Sequence, residues 1–109
     1  MFTIKTYIKT EKGVKVFTRK AVSKGSVIWE FIEGLDKIVS SQDIKQLSLV
    51  QRDFAYMYFP KREGMFYCFC DNSIFLNQSL TPNCKFKGDI IISLRDISPD
   101  EELTIDIQE

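Results

Sequence analysis

The feature that most constrains this chain is its punctuation. Short apolar or alternating runs are broken by turn signals about every 8–12 residues, a spacing that suits strands and leaves only one interval for helix. Residues 2–8 alternate apolar and polar side chains and read as a strand. Glu11-Lys12-Gly13 is a turn signal, and residues 14–18 alternate again. Residues 23–26 make the next turn. Residues 27–32 (Val-Ile-Trp-Glu-Phe-Ile) are mostly apolar, as expected of a strand covered on both faces, with Trp29 in the core. After Gly34 the period changes. Ser40-Ser41-Gln42-Asp43 resembles a helix start with Ser40 or Ser41 as cap, and Ile44, Leu47 and Val50 follow at helical spacing. A second short helix is expected from residue 49 to about residue 56, before Pro60 stops regular structure.

Residues 61–64 read as a loop tip and residues 65–70 as a buried strand. Residues 85–87 and 89–94 flank Gly88 as a hairpin. Ser98-Pro99-Asp100-Glu101 forms a turn, and residues 102–107 are a last strand. The expectation is one mainly β domain over residues 1–109, with one or two short helices in a central insert.

Composition narrows the function classes. A chain of 109 residues supports a single modest core. An apolar fraction of 44% is ordinary for a globular protein, no run approaches membrane-spanning length, and the first residues lack the apolar centre of a signal peptide. Cytoplasmic location is therefore expected, with no membrane partner. Three cysteines suit a reducing compartment and read as buried free thiols. Cys68 and Cys70 share one strand face and Cys84 follows, but with no histidine in the chain the usual fourth ligand is missing, so no metal site is expected. The absence of histidine also removes the Ser-His-Asp and Cys-His nucleophilic schemes.

The formal charge is zero, which argues against direct nucleic-acid binding, yet the charge is polarised. Lys5, Lys9, Lys12, Lys15, Arg19, Lys20 and Lys24 stand near the start against Glu11. Asp96, Asp100, Glu101, Glu102, Asp106 and Glu109 stand near the end without a base among them. These read either as two solvated faces that attract each other or as an acidic rim that recruits a basic partner. Phe66, Tyr67 and Phe69 have no interleaved bases and read as core. Glu101 and Glu102 are adjacent on an extended chain, point apart, and do not form an acid–base pair.

The densest polar cluster is Phe75-Leu76-Asn77-Gln78-Ser79-Leu80-Thr81-Pro82-Asn83, where amides and hydroxyls follow two bulky apolar residues. Taken alone it is a surface loop or a ligand-binding loop.

Four segments in order resemble the SET domain family of S-adenosylmethionine-dependent protein methyltransferases. Gly13-Val14-Lys15-Val16-Phe17-Thr18, followed by Ser23-Lys24-Gly25-Ser26-Val27-Ile28, is similar to the family's G-x-G segment and the strand after it. Phe54-Ala55-Tyr56-Met57-Tyr58 is similar to its mid-chain tyrosine segment. The cluster at residues 75–83 resembles its F-x-N-H-S-x-x-P-N loop. Residues 93–106, Ser-Leu-Arg-Asp-Ile-Ser-Pro-Asp-Glu-Glu-Leu-Thr-Ile-Asp, resemble its R-D-I-x-x-G-E-E-L-T-x-D-Y ending. The last two carry most of the specificity, and the spacing suits a minimal bacterial or viral-type domain.

The resemblance implies a fold of short sheets with a knot-like C-terminus, and a protein-lysine N-methyltransferase acting on a lysine-containing basic segment of a protein or peptide. It implies S-adenosylmethionine as cofactor, with Lys15, Val16 and Phe17 near its methionine portion, Asn77 on its amino-acid end and Gln78 offering backbone groups to its adenine. Tyr56 becomes the candidate channel hydroxyl, its other reading being a core or groove aromatic. Three positions depart from the family: Lys15 replaces the second glycine, Gln78 the histidine and Ile107 the final tyrosine, and they imply reduced activity. Two alternatives stand beside this reading: a non-catalytic SET-like module that binds cofactor or a basic peptide, with a homodimer open, and an unrelated β-rich interaction domain.

Overall fold

The computed structural model describes residues 6–106. Ile107 and the expected strand residues 2–5 lie outside the described residues. β1 (Thr6–Lys9) and β2 (Lys15–Thr18) form an antiparallel hairpin that pairs Tyr7 with Phe17 and Lys9 with Lys15. Its turn takes Lys12 to φ 57° and Gly13 to φ 95°, the left-handed region that glycine tolerates best. β3 (Val27–Glu30) lies at the opposite edge of the same sheet. A register irregularity between Val27 and Trp29 accompanies the burial of consecutive Ile28 and Trp29, while Glu30 stays exposed, so the expected cover on both faces is confined to these two residues. It stops two residues short of the expected end, because the chain bends at Ile32, whose N–H donates to the buried Asp36 carboxylate at 2.8 Å.

β4 (Lys37–Ser40), β5 (Lys61–Arg62) and β6 (Met65–Cys68) make a separate sheet in the order β4-β6-β5. β4 carries no turn signal of its own before the helix cap and was not expected. Residues 61–64 are only half a loop tip: Lys61 and Arg62 pair with β6, while Glu63 and Gly64 turn the hairpin at φ 51° and 78°. α1 (Ser41–Lys45) is capped by Ser40 in a reciprocal box with Asp43, and α2 (Leu49–Tyr58) by Ser48 with Gln51. The Ser48 cap breaks the spacing of Ile44, Leu47 and Val50. Ile44 packs with Ala55 and Phe66 in a small core, whereas Val50 on the next helix is 80% exposed.

A 3₁₀ turn (Asn72–Phe75), capped by Asp71, leads into β7 (Asn77–Gln78), and the chain continues through β8 (Cys84–Lys87), β9 (Ile90–Ser93) and β10 (Glu102–Ile105). The large sheet runs β1-β2-β10-β8-β9-β3, with β7 attached to β10. β10 is antiparallel to β2 but parallel to β7, pairing Thr104 with Asn77 and Ile105 with Gln78. The last described strand thus sits beside the polar segment, and Ser79 N–H donates to Ile105 C=O at 2.9 Å. This is the knot-like placement the resemblance implies. The unrelated β-rich domain is excluded by it.

Val16, Trp29, Phe69, Cys84, Ile91, Leu103 and Ile105 form the main core, with Trp29 and Phe69 stacked at 4.0 Å. The cysteines are free, but the expectation of three buried thiols is wrong. Cys84 is buried, Cys68 is half-buried and Cys70 is exposed, because β6 ends at Cys68 and Asp36 captures the Cys70 N–H at 2.8 Å as the chain turns out. Among the described residues no helix is long and apolar enough to cross a membrane, and no group of metal-ligating side chains forms.

Candidate functional site

Where the end of α2 meets β7, β10 and the residue before β2, the fold leaves a cavity of about 360 Å³. Val14, Asn77, Gln78 and Ile105 form one side; Tyr56, Met57, Tyr58 and Phe59 form the other. The aromatic side is rigid at Tyr58, whose ring lies 4.8 Å from Phe54 and at 85° to Phe75, 5.1 Å away. Tyr56 is half in solvent, with its ring 5.9 Å from Phe66. α2 ends here because Pro60 follows, so two tyrosines of one last turn reach the same space.

The polar side is assembled by two asparagines. Asn77 Nδ2 donates to the Val14 carbonyl at 2.9 Å and to Glu102 Oε2 at 3.1 Å, joining the start of β2 to β10. Its amide protons are engaged in this clasp, which leaves Oδ1 as the side-chain atom that can meet a ligand. Asn83 is buried and behaves like a piece of strand: Nδ2 donates to Glu102 C=O, and Oδ1 accepts from Thr104 N–H, each at 2.8 Å. Thr104 Oγ1 in turn accepts from Asn83 N–H at 3.2 Å. A side-chain amide has the donor–acceptor pair of a peptide group, and here it extends the ladder of β10 where no strand stands.

Of the residues singled out from the sequence, Tyr56, Asn77 and Gln78 line the cavity together. Lys15, Val16 and Phe17 do not. Val16 is wholly inside the core, Phe17 stacks on Tyr7 across the hairpin, and Lys15 lies in regular strand opposite Lys9. Lys15 therefore needs no left-handed backbone; that demand falls on Lys12 and Gly13. Val14, Tyr58 and Ile105 also form the wall; none was singled out from the sequence, although all three sit inside segments that the resemblance marks.

The SET domain family model matches residues 13–108, most of the chain. This chain belongs to the SET domain family. Its fold is similar to the crystal structure of a Plasmodium falciparum candidate histone methyltransferase, with 18% identity, coverage of 97% of this chain and 94% of that one, and a TM-score of 0.66. No curated protein matches the sequence. Family membership supports a methyltransferase-like role.

The family's acidic turn before the last strand is also in place in this SET domain. Glu101 forms a salt bridge with Arg95 and accepts from Ser98 N–H at 3.0 Å, fixing the entry to β10. The Arg95 guanidinium beside it, helped by that N–H, holds the Glu101 carboxyl below the usual carboxylate range, and the same bond raises Arg95 further. Behind the site, burial pushes the Cys84 thiol up to about 12 and keeps it neutral and unreactive.

Proposed function

We propose that this SET domain is an S-adenosylmethionine-dependent protein-lysine N-methyltransferase of reduced activity. The observation that carries the reading is the cavity in which Val14, Asn77, Gln78 and Ile105 converge opposite Tyr56 and Tyr58. Its volume falls within the roughly 300–1,000 Å³ of small-molecule sites. Its donor set also suits the cofactor. Asn77 Oδ1 is an acceptor for an ammonium group. β7 pairs with β10 on one side only, so its other backbone edge is available to a purine. The aromatic wall suits a sulfonium, which aromatic faces attract as they do ammonium groups.

S-adenosylmethionine, when bound, supplies an electrophilic methyl group. The chain's own contribution is positioning. Asn77 and Gln78 hold the ligand against the end of β10, and Lys15, Val16 and Phe17 anchor Val14 from within the sheet. Tyr56 offers a hydroxyl at the half-exposed side, where a substrate amine enters, and its orienting effect is the kind worth about 10²–10⁴-fold in rate. Ile107, where the family carries tyrosine, lacks a second such hydroxyl, hence the reduced activity. The outward face of α2, with Leu49, Val50 and Met57 each at least 72% exposed, adjoins this side and suits a protein substrate.

Transfer of labelled methyl from S-adenosylmethionine to lysines of a basic protein tests the reading. Transfer, raised by Ile107→Tyr, is expected. Cofactor binding without transfer to any protein of a broad lysate would leave the second reading, a non-catalytic binding module, which the loss of the final tyrosine favours.

A further inference from the structure

The solvent face of the β1–β2 hairpin interleaves aromatic and basic side chains in a way no stretch of sequence displays. Val16 and Thr18 point into the core, so Lys15 and Phe17 face the other side, where the register sets them beside Lys9 and Tyr7, and Arg19, just past the strand, reaches the same face over the Tyr7 ring. Tyr7 and Phe17 stack at 5.5 Å with their planes 21° apart. Lys9 Nζ lies 4.9 Å from the Phe17 ring centre, and the Arg19 guanidinium 4.5 Å from the Tyr7 ring centre. The rings thus hold two long cationic side chains in place, which lowers the entropy lost when an anion binds them.

Two carboxylates border this face, Asp100 beside Tyr7 and Glu102 opposite Phe17, and neither forms a salt bridge with its cations. Asp100 takes the Tyr7 hydroxyl at 2.6 Å, and Glu102 takes the Asn77 amide. Among the described residues the ion pair is Arg95 with Glu101, so Lys9, Lys15 and Arg19 keep their charge for a partner. None of the five residues of this face lines the cavity.

We propose that this face binds single-stranded nucleic acid, with phosphates on Lys9, Lys15 and Arg19 and unpaired bases against the half-exposed parts of Tyr7 and Phe17 that the cations leave open. A duplex hides its base faces, and a polyacidic peptide has no flat apolar surface to lay on half-exposed rings. Both would engage the cations alone, so the mixed composition of the face selects a single strand.

Fluorescence anisotropy of a labelled single-stranded DNA of about 12 nucleotides, within the usual site size, tests this with the full chain. Binding at low salt is expected, with log K falling against log salt at a slope of about −2, from three cations at about −0.7 each. Lys9→Gln with Arg19→Gln should weaken it about tenfold or more and bring the slope near −0.7. Tyr7→Leu should weaken single-strand binding with the slope unchanged. Lys45→Gln, on α1, should change neither. Absence of binding, equal competition by polyglutamate or by the duplex, or full binding by the Lys9–Arg19 variant would each overturn the proposal, whether or not the methyltransferase reading holds.

Discussion

Asn77 and Asn83 do different work with the same side chain. Asn77 ties Val14 to Glu102 at the cavity rim, and Asn83 completes β10 from inside. Asn83→Leu, close in volume, leaves the Glu102 carbonyl and the Thr104 N–H without partners. It should destabilise by about 2–4 kcal/mol, the sum of two buried orphans at about 1–3 kcal/mol each partly relieved by water, read as a lower denaturant midpoint. Asn77→Ala should cost only about 1 kcal/mol, as its bonds are solvent-exposed, and should weaken S-adenosylmethionine binding far more than it lowers stability. Lys15 gives the opposite lesson. It occupies extended backbone, so Lys15→Gly should destabilise by about 0.5–1 kcal/mol, the usual cost of glycine in a strand, with no gain in cofactor affinity. The thiols respond to pH in a set direction. Cys84 is raised from 9.0 to about 12 in the fold, so its contribution to stability is complete below pH 9 and is lost as pH rises toward 12, where the unfolded chain ionises and the folded one does not. A thiol reagent at pH 8 should modify exposed Cys70 and spare Cys84 until the protein unfolds.

At the scale of elements, α2 behaves as two surfaces. Ala55 faces the small core while Leu49 and Val50 face outward, and Met57, at the cavity rim, is also exposed. Val50→Asp should change stability by no more than about 0.5 kcal/mol, since the side chain is 80% exposed, yet lower transfer to a protein substrate without altering cofactor affinity; parallel thermal melts and methyl-transfer assays check both halves. Elements with strong local signals were legible in the sequence. Residues 14–18 alternate in a clean period of two, Ser40 caps a helix, and Gly88 turns a hairpin. β4 and β5 were not, because two to four residues set no period, and their strand state comes from pairing with β6 across more than twenty residues of chain in one case. The burial of Cys70 was misjudged for a related reason: alternation predicts a face only while the strand lasts, and β6 ends two residues earlier. Tyr56, Asn77 and Gln78 could be placed at the cavity because each lies in a segment with family-specific wording. Val14 and Ile105 lie in such segments too, but an ordinary aliphatic side chain carries no polar or aromatic mark that distinguishes a cavity wall from core.

At the scale of the molecule, the candidate site follows from how β10 is held. Three segments and one side chain grip it: β2 by antiparallel pairing, β7 and β8 by parallel pairing, and Asn83, just before β8, by its amide. Parallel pairs between non-consecutive strands close only after long loops are formed, so folding should be slower than for a helical domain of equal size. What this grip yields is a cavity whose walls come from residues 14, 56–60, 69, 73–78 and 105, none of which encloses space on its own. The central claim is that this shared cavity holds S-adenosylmethionine, and calorimetric titration of the cofactor into the purified chain tests it most directly. Saturable binding at one site per chain, weakened about tenfold or more by Asn77→Ala while the fold stays intact, is the predicted result. No saturable heat at millimolar cofactor, or binding that Asn77→Ala leaves untouched, would contradict it.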